Sequence, residues 1–123
     1  MKRNYQDKLL HDWEHIFRQG LLTFWVFLAI RESRLTVGEI VTKVSILTNA
    51  TYLTSEQTIY RLLRKQYDLE LVDYTEIPGN SGPNKKVYSL SPLGRELLTR
   101  FIERNICLFQ QPAIFKNSKR STL

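Results

Sequence analysis

A mainly α-helical domain carrying one β-hairpin is the fold class that this chain predicts, and three observations carry the prediction. Apolar residues recur at three- and four-residue steps in three stretches before residue 67. The period then falls to two over residues 71–77 and 86–90, with a loop rich in Gly, Pro and Asn between them. Ser91 and Pro92 restart a helical pattern directly after the second run.

Residues 7 to 32 read as the first helix, with Leu10, Trp13, Phe17, Leu21, Phe24 and Leu28 on one stripe. From residue 21 onward Leu22, Trp25, Val26, Ala29 and Ile30 fill the other faces, so this segment needs cover on every side. One small domain has little to cover it with, which predicts a second copy of the chain. Gly20 is the place for a kink or a division. In "TVGEIVTKVSIL", Thr36 and Glu39 have capping-box spacing, so a second helix runs from residue 37 to about 47 with Val37, Ile40, Val41, Val44 and Leu47 as its apolar set. A third opens at Thr54 or Ser55, with Thr54 and Gln57 at the same spacing, and turns Ile59, Leu62 and Leu63 inward.

The two period-two runs pair as antiparallel strands joined by the loop "PGNSGPN". The last helix covers residues 92–109, placing Leu97, Leu98, Phe101, Ile102, Leu108 and Phe109 on the core or on a partner. Pro112, weak periodicity and three basic residues mark the C-terminal stretch from residue 110 as a mobile basic tail. The expected organisation is an N-terminal helical extension (1–20), a three-helix and hairpin domain (21–91), a dimerisation helix (92–109) and the tail (110–123).

Composition narrows the partners. The chain has 123 residues, 42% hydrophobic and 24% charged, with a formal charge of +6. That balance describes one folded domain with a preference for polyanions, nucleic acid first and an anionic membrane surface second. The lone Cys107 cannot close an intramolecular disulfide, and a reducing cytoplasmic setting fits. The most apolar window, "LLTFWVFLAI", is about half of the roughly 20 residues needed to span a bilayer, and no signal-peptide layout precedes it.

Three helices followed by a hairpin is the layout of a winged helix-turn-helix, here with a C-terminal dimerisation helix. The loop between the strands is then the wing. In that fold the third helix enters the DNA major groove and the wing reaches phosphates or the minor groove beside it. Glu56, Gln57, Tyr60, Arg61, Arg64 and Lys65 lie opposite the apolar face of the third helix, suited to base edges and phosphates. The helix starts at Thr36 and Ser55, with Lys85 and Lys86 of the wing, are the phosphate anchors.

The same residues resemble the PadR-like winged-helix transcriptional regulators. "SEQTIYRLLRKQ" is similar to that family's third helix, "GPNKKVYSLSPLGRELL" to its wing strand and following helix, with Tyr88, Leu90, Gly94 and Arg95 in matching places, and "GLLTFWVFLAI" to its first helix. The resemblance spans roughly residues 16 to 104. It implies a DNA-binding repressor, dimeric through the first and last helices, of the short subgroup with a single C-terminal helix, acting on a near-palindromic operator. The chain departs from the pattern twice: "TVGE" stands where the family has His-Gly-Tyr-Glu, and Glu70 stands where it has Gly before the first strand. A non-glycine residue at a positive-φ helix exit is strained, which leaves that turn open to remodelling.

The candidate dimer interface is Trp13, Phe17, Leu21, Phe24, Trp25, Leu98, Phe101, Ile102 and Phe109. Trp13, Phe17 and Trp25 could instead line a pocket for a small-molecule effector between protomers, making the protein a ligand-responsive sensor; plain interface core is the commoner use of such aromatics. A further rival is a winged helix used as a protein-interaction module. His11 and His15 sit one helical turn apart but lack a third ligand, so no metal or other cofactor is expected. No nucleophile, base and orienting group stand together, so no enzyme activity is expected. Cys107 follows no activating basic cluster and reads as a small apolar residue.

Overall fold

The computed structural model describes residues 2–117. The helix expected from residue 7 to 32 is two helices, α1 (Lys2–Gln19) and α2 (Leu22–Arg31), and α1 begins earlier than the periodicity indicated. The break falls where the Gly20 N–H donates to the Ile16 carbonyl over 3.4 Å, a stretched bond, and the Leu21 N–H donates to Arg18 only three residues back. A tightened turn at the residue with the poorest helix propensity after Pro ends α1 there.

α3 (Val37–Leu47) starts on the expected capping box. Thr36 Oγ1 accepts from the Glu39 N–H at 3.3 Å, while Glu39 Oε1 accepts from the Thr36 N–H at 2.8 Å. α4 (Glu56–Asp68), the third helix expected from the sequence, is capped differently from the Thr54 and Gln57 pair: Ser55 is the N-cap and its Oγ accepts from the Thr58 N–H at 3.1 Å. The third position of the helix is therefore Thr58, whose Oγ1 accepts from the Ser55 hydroxyl at 3.0 Å in place of a carboxamide reaching back.

Both helices leave by the same device. After α3, the Ala50 N–H donates to Ser45 and the Asn49 N–H to Ile46; after α4, the Leu71 N–H donates to Gln66 and the Glu70 N–H to Tyr67. These are paired Schellman bonds, which place the residue after the cap in the left-handed region. Asn49, Ala50 and Glu70 accordingly have φ of 51°, 59° and 65°. Glu70 thus occupies the strained exit that glycine would relieve, and the turn keeps its geometry with the wrong residue type.

β1 (Val72–Ile77) and β2 (Lys85–Leu90) pair antiparallel, Val72 opposite Leu90 and Ile77 opposite Lys85. Leu35 adds a short third rung, exchanging backbone bonds with Tyr88 at 3.0 and 2.8 Å. Ser91 caps α5 (Pro92–Phe101) by accepting from the Gly94 N–H at 3.0 Å. The α-helix expected to reach residue 109 stops at Phe101 and continues as a π-helical turn, Ile102–Ile106, and a 3₁₀ turn, Cys107–Gln110. A further 3₁₀ turn, Pro112–Phe115, occupies the start of the expected tail, and residues 118–123, with two of its basic residues, lie outside the described residues.

The core gathers at the middle of α2. Val26 and Ile30 meet Ile40 and Val44 from α3, Ile59 and Leu63 from α4, and Val72, Tyr88 and Leu90 from the hairpin. Each fully buried aliphatic side chain contributes about 1.5–3 kcal/mol. This closes α2 on the side of the helix triad and leaves Phe24, Trp25 and Leu28 half-buried. α1 has no buried residue along its length.

Candidate nucleic-acid interface

Ile59 and Leu63 fix the roll of α4, because both are fully buried against α2 and α3. With that face inward, Glu56, Gln57, Tyr60, Arg61, Arg64 and Lys65 are all exposed on the other. The hairpin rises beside the same helix. Between them lies a cleft of about 440 Å³ lined by Thr36, Gly38, Glu56, Tyr60, Lys85 and Lys86, among others, so the start of α3, the start of α4 and the wing share one concave surface. Of the residues proposed from sequence, Thr36, Glu56, Tyr60, Lys85 and Lys86 meet at this cleft, whereas Ser55, Gln57, Arg61 and Lys65 are exposed on or beside α4 without lining it.

Cations outnumber carboxylates on this surface, where Glu56 and Asp68 are the acidic residues that line the two clefts. The ion pairs among the described residues join Lys8 to Asp12, Arg18 to Glu14, Arg31 to Glu32 and Arg100 to Glu96, all elsewhere. Arg61, Arg64, Lys65, Lys85 and Lys86 therefore carry charge that no carboxylate of the described chain neutralises in a salt bridge. Lys85 is exposed; Lys86 is partly buried, its Nζ held 4.5 Å from the centre of the Tyr74 ring. That is a cation–π contact, which keeps the ammonium on the α4 side of the hairpin.

A tyrosine ladder, missed in reading the sequence, sets the angle between helix and wing. Tyr67 at the end of α4 packs on Tyr74 of β1 at 5.0 Å between ring centres, and Tyr74 packs on Tyr88 of β2 at 5.8 Å. Tyr74 and Tyr88 are directly opposite in register, so both rings stand on one face of the hairpin. They border a second cleft of about 360 Å³ with Tyr60, Arg64, Tyr67, Asp68 and Lys86. Burial pushes the Tyr88 phenol above its usual range, with Tyr60 and Tyr74 adding to the shift. The available signal was the pair of tyrosines at equal distances from the wing loop.

Two residues that carried the family resemblance have plain structural work. A side chain at Gly94 would collide with the Leu71 carbonyl oxygen, so only glycine lets α5 sit on the base of the hairpin. Arg95 Nη1 donates to the Arg31 carbonyl at 2.8 Å, placing a cation on the C-terminal end of α2.

The residues expected at a dimer interface divide. Trp13 is 72% exposed on α1, and Phe17 meets Phe109 edge-on at 6.5 Å. Phe24 packs on Trp25 at 5.1 Å and on Phe101 at 5.6 Å, beside Leu21 and Ile102, which are half-buried. Leu98 is a correction: it is 2% exposed inside its own protomer and has no surface to offer. An apolar crevice of about 160 Å³ lies between α2 and α5, lined by Gly20, Thr23, Phe24, Phe27, Leu97, Leu98 and Phe101. His11 and His15 are exposed on α1, and no group of three metal-ligating side chains stands together among the described residues. No described helix is long and apolar enough to cross a membrane.

No protein-family model and no curated protein sequence matches the chain. Solved structures do. A PadR-family transcriptional regulator from Eggerthella lenta superposes with a TM-score of 0.72 at 20% identity, over 86% of this chain and 90% of that one. A PadR-like transcription factor from Bacteroides fragilis gives 0.65 at 23%, over 80% and 93%. Bacillus subtilis PadR, solved in complex with operator DNA, gives 0.61 at 18%, over 67% of this chain and 47% of that one. The first two of these neighbours are described as a transcriptional regulator and a transcription factor. Mostly helical, with a two-stranded wing packed beside α4, the chain has the PadR-like winged-helix fold.

Proposed function

We propose that the protein is a dimeric winged-helix DNA-binding transcriptional regulator, a repressor of the gene whose near-palindromic operator it occupies. The observation that carries the reading is a set of five cations unpaired by carboxylates: Arg64, Lys85 and Lys86 line the clefts between α4 and the wing, and Arg61 and Lys65 are exposed on the same helix. A duplex presents one negative charge per about 1.7 Å of its axis, and a row of cations on an exposed helix meets it by releasing counterions. In this reading α4 lies in the major groove, with Gln57, Tyr60, Arg61 and Arg64 at base edges. Thr36, Ser55, Lys65, Lys85 and Lys86 take phosphates. The operator complex of the B. subtilis neighbour supports the choice of ligand.

Dimerisation uses α1 and the C-terminal segment. An isolated helix of this length is marginal in water. α1 nonetheless exposes Tyr5, Leu9, Leu10, Trp13, Ile16 and Phe17, and the C-terminal turns expose Leu108 and Phe109. A second copy covers both. The division into extension, winged helix, dimerisation helix and tail belongs to the same proposal, as does residence in the cytoplasm.

Titrating a labelled duplex across a salt series tests it. Each phosphate neutralised adds about 0.9 to the logarithmic salt slope, so a regulator of this kind loses affinity steeply between low and physiological salt. A shallow or absent slope instead favours a winged helix that docks a protein partner through Tyr60 and its neighbours.

A further inference from the structure

The cationic surface holds two carboxylates, Asp68 at the far end of α4 and Glu56 at its start, and Glu56 shares the cleft with the wing lysines. Glu56 opens α4, yet its side chain does not turn to its own helix: Oε2 lies 3.6 Å from where a Cβ would project at Gly38. The carboxylate therefore rests over the first turn of α3, where Thr36, Val37 and Gly38 line the same cleft as Lys85 and Lys86. It forms no ion pair among the described residues, and Gly38 leaves it the space. The start of α3 and two lysines flank this place, a setting that favours an anion, and the chain has put its own anion there.

We infer that Glu56 is a specificity-determining residue, whose carboxylate selects one base in each half-site and opposes binding to all other sequences. The inference rests on the proposed DNA-binding function. A carboxylate only accepts hydrogen bonds, and in the major groove the donors are the exocyclic amines of cytosine and adenine. Against an operator that presents an amine at this point, Glu56 swings from α3 to the base, and the vacated cleft takes the neighbouring phosphate. Against a sequence without the amine, the carboxylate meets only acceptors and phosphate, so its charge opposes the approach. One side chain thus penalises wrong duplexes as well as rewarding the right one, which is how specificity is separated from affinity.

The test is selection of bound sequences from a random duplex library by the full chain, wild type against Glu56→Ala and Glu56→Gln, with melting curves to establish that the variants are folded. The wild type should enrich a motif with cytosine or adenine at one position per half-site. Glu56→Ala should enrich the same motif with that position alone degenerate, and should bind a scrambled duplex about tenfold more tightly, an effect the size of one base contact. Glu56→Gln, which also donates, should recover a preference at the same position shared with other bases. An unchanged motif in Glu56→Ala overturns the inference, as does a uniform gain of affinity on every duplex, which would make Glu56 a mere count of charge. General decay of the motif in a folded variant also overturns it. Failure of the wild type to enrich any motif or bind any duplex is a different result: it removes the DNA-binding reading itself.

Discussion

Replacing Glu70 with glycine should stabilise the protein, although it removes a side chain and adds nothing. Glu70 sits at φ 65°, held there by backbone bonds: its N–H to the Tyr67 carbonyl at 2.9 Å, the Leu71 N–H to Gln66 at 2.9 Å, and its own carbonyl accepting from Ser91 Oγ at 2.7 Å. None involves the glutamate side chain, which is exposed and makes no ion pair among the described residues. An L-residue in the left-handed region costs about 1–2 kcal/mol. Glycine removes that cost but loses about 0.5–1 kcal/mol to the greater freedom of the unfolded chain. The net gain is about 0.5–1 kcal/mol, raising Tm by about 2–5 °C for a domain of this size. Glu70→Ala is the control, since it also removes a carboxylate from the C-terminal end of α4 but keeps the Cβ. Thermal and urea unfolding of the three proteins should rank glycine above alanine by about 1 kcal/mol, with duplex binding unchanged. Equal stability of the glycine and alanine variants would refute the assignment of strain to this turn.

Three other outcomes are expected from the same structure. Gly94→Ala should lose about 2–4 kcal/mol in urea unfolding, because the added methyl must displace the Leu71 backbone or part α5 from the hairpin. Tyr88, 4% exposed, has its phenol pKa raised in the fold above the ordinary 10.0. Its contribution to stability is therefore complete below pH 10 and lost as pH rises through the folded value; Tyr88→Phe should flatten that part of the alkaline decline, read from unfolding midpoints between pH 8 and about 11. Sedimentation equilibrium at micromolar concentration should give a dimer, and Trp13→Asp together with Ile16→Asp should shift it to monomer without unfolding the winged helix. A monomeric wild type would contradict the proposed interface.

Much of this was legible in the sequence, for identifiable reasons. Ile59 and Leu63 recur at helical spacing on α4, which sets its inner face and by subtraction its outer one. The Thr36 and Glu39 box and the Ser91–Pro92 start depend on a few adjacent residues, and local chemistry of that kind is written in the chain. What the sequence hid depends on residues far apart. The rung between Leu35 and Tyr88 needs the tertiary fold to bring a loop to the hairpin edge. The ladder of Tyr67, Tyr74 and Tyr88 likewise joins a helix end to two strands. Leu98 could be assigned to the apolar face of α5, but only the packing decides whether that face meets the core or a partner. Propensity was misleading at Glu70, where the Schellman bonds and the Ser91 hydroxyl hold a conformation the residue disfavours. The π-helical turn after Phe101 has no sequence signal that we can identify, and the helical periodicity ran straight through it.

The most direct test of the central claim, that α4 reads bases while the wing anchors phosphates, compares Arg64→Ala with Lys85→Ala on selected and scrambled duplexes across a salt series. Arg64, exposed on α4 at the edge of the tyrosine cleft, should cost about 1–3 kcal/mol of specificity at one base pair per half-site when removed. Lys85, exposed where the wing meets the larger cleft, should weaken both duplexes about equally and make the salt slope shallower by about one per protomer when removed. Both variants should melt with the wild type, since neither side chain packs in the core. If both folded variants bind both duplexes as the wild type does, α4 does not lie in the groove, and the account of this face as a DNA-reading surface is wrong.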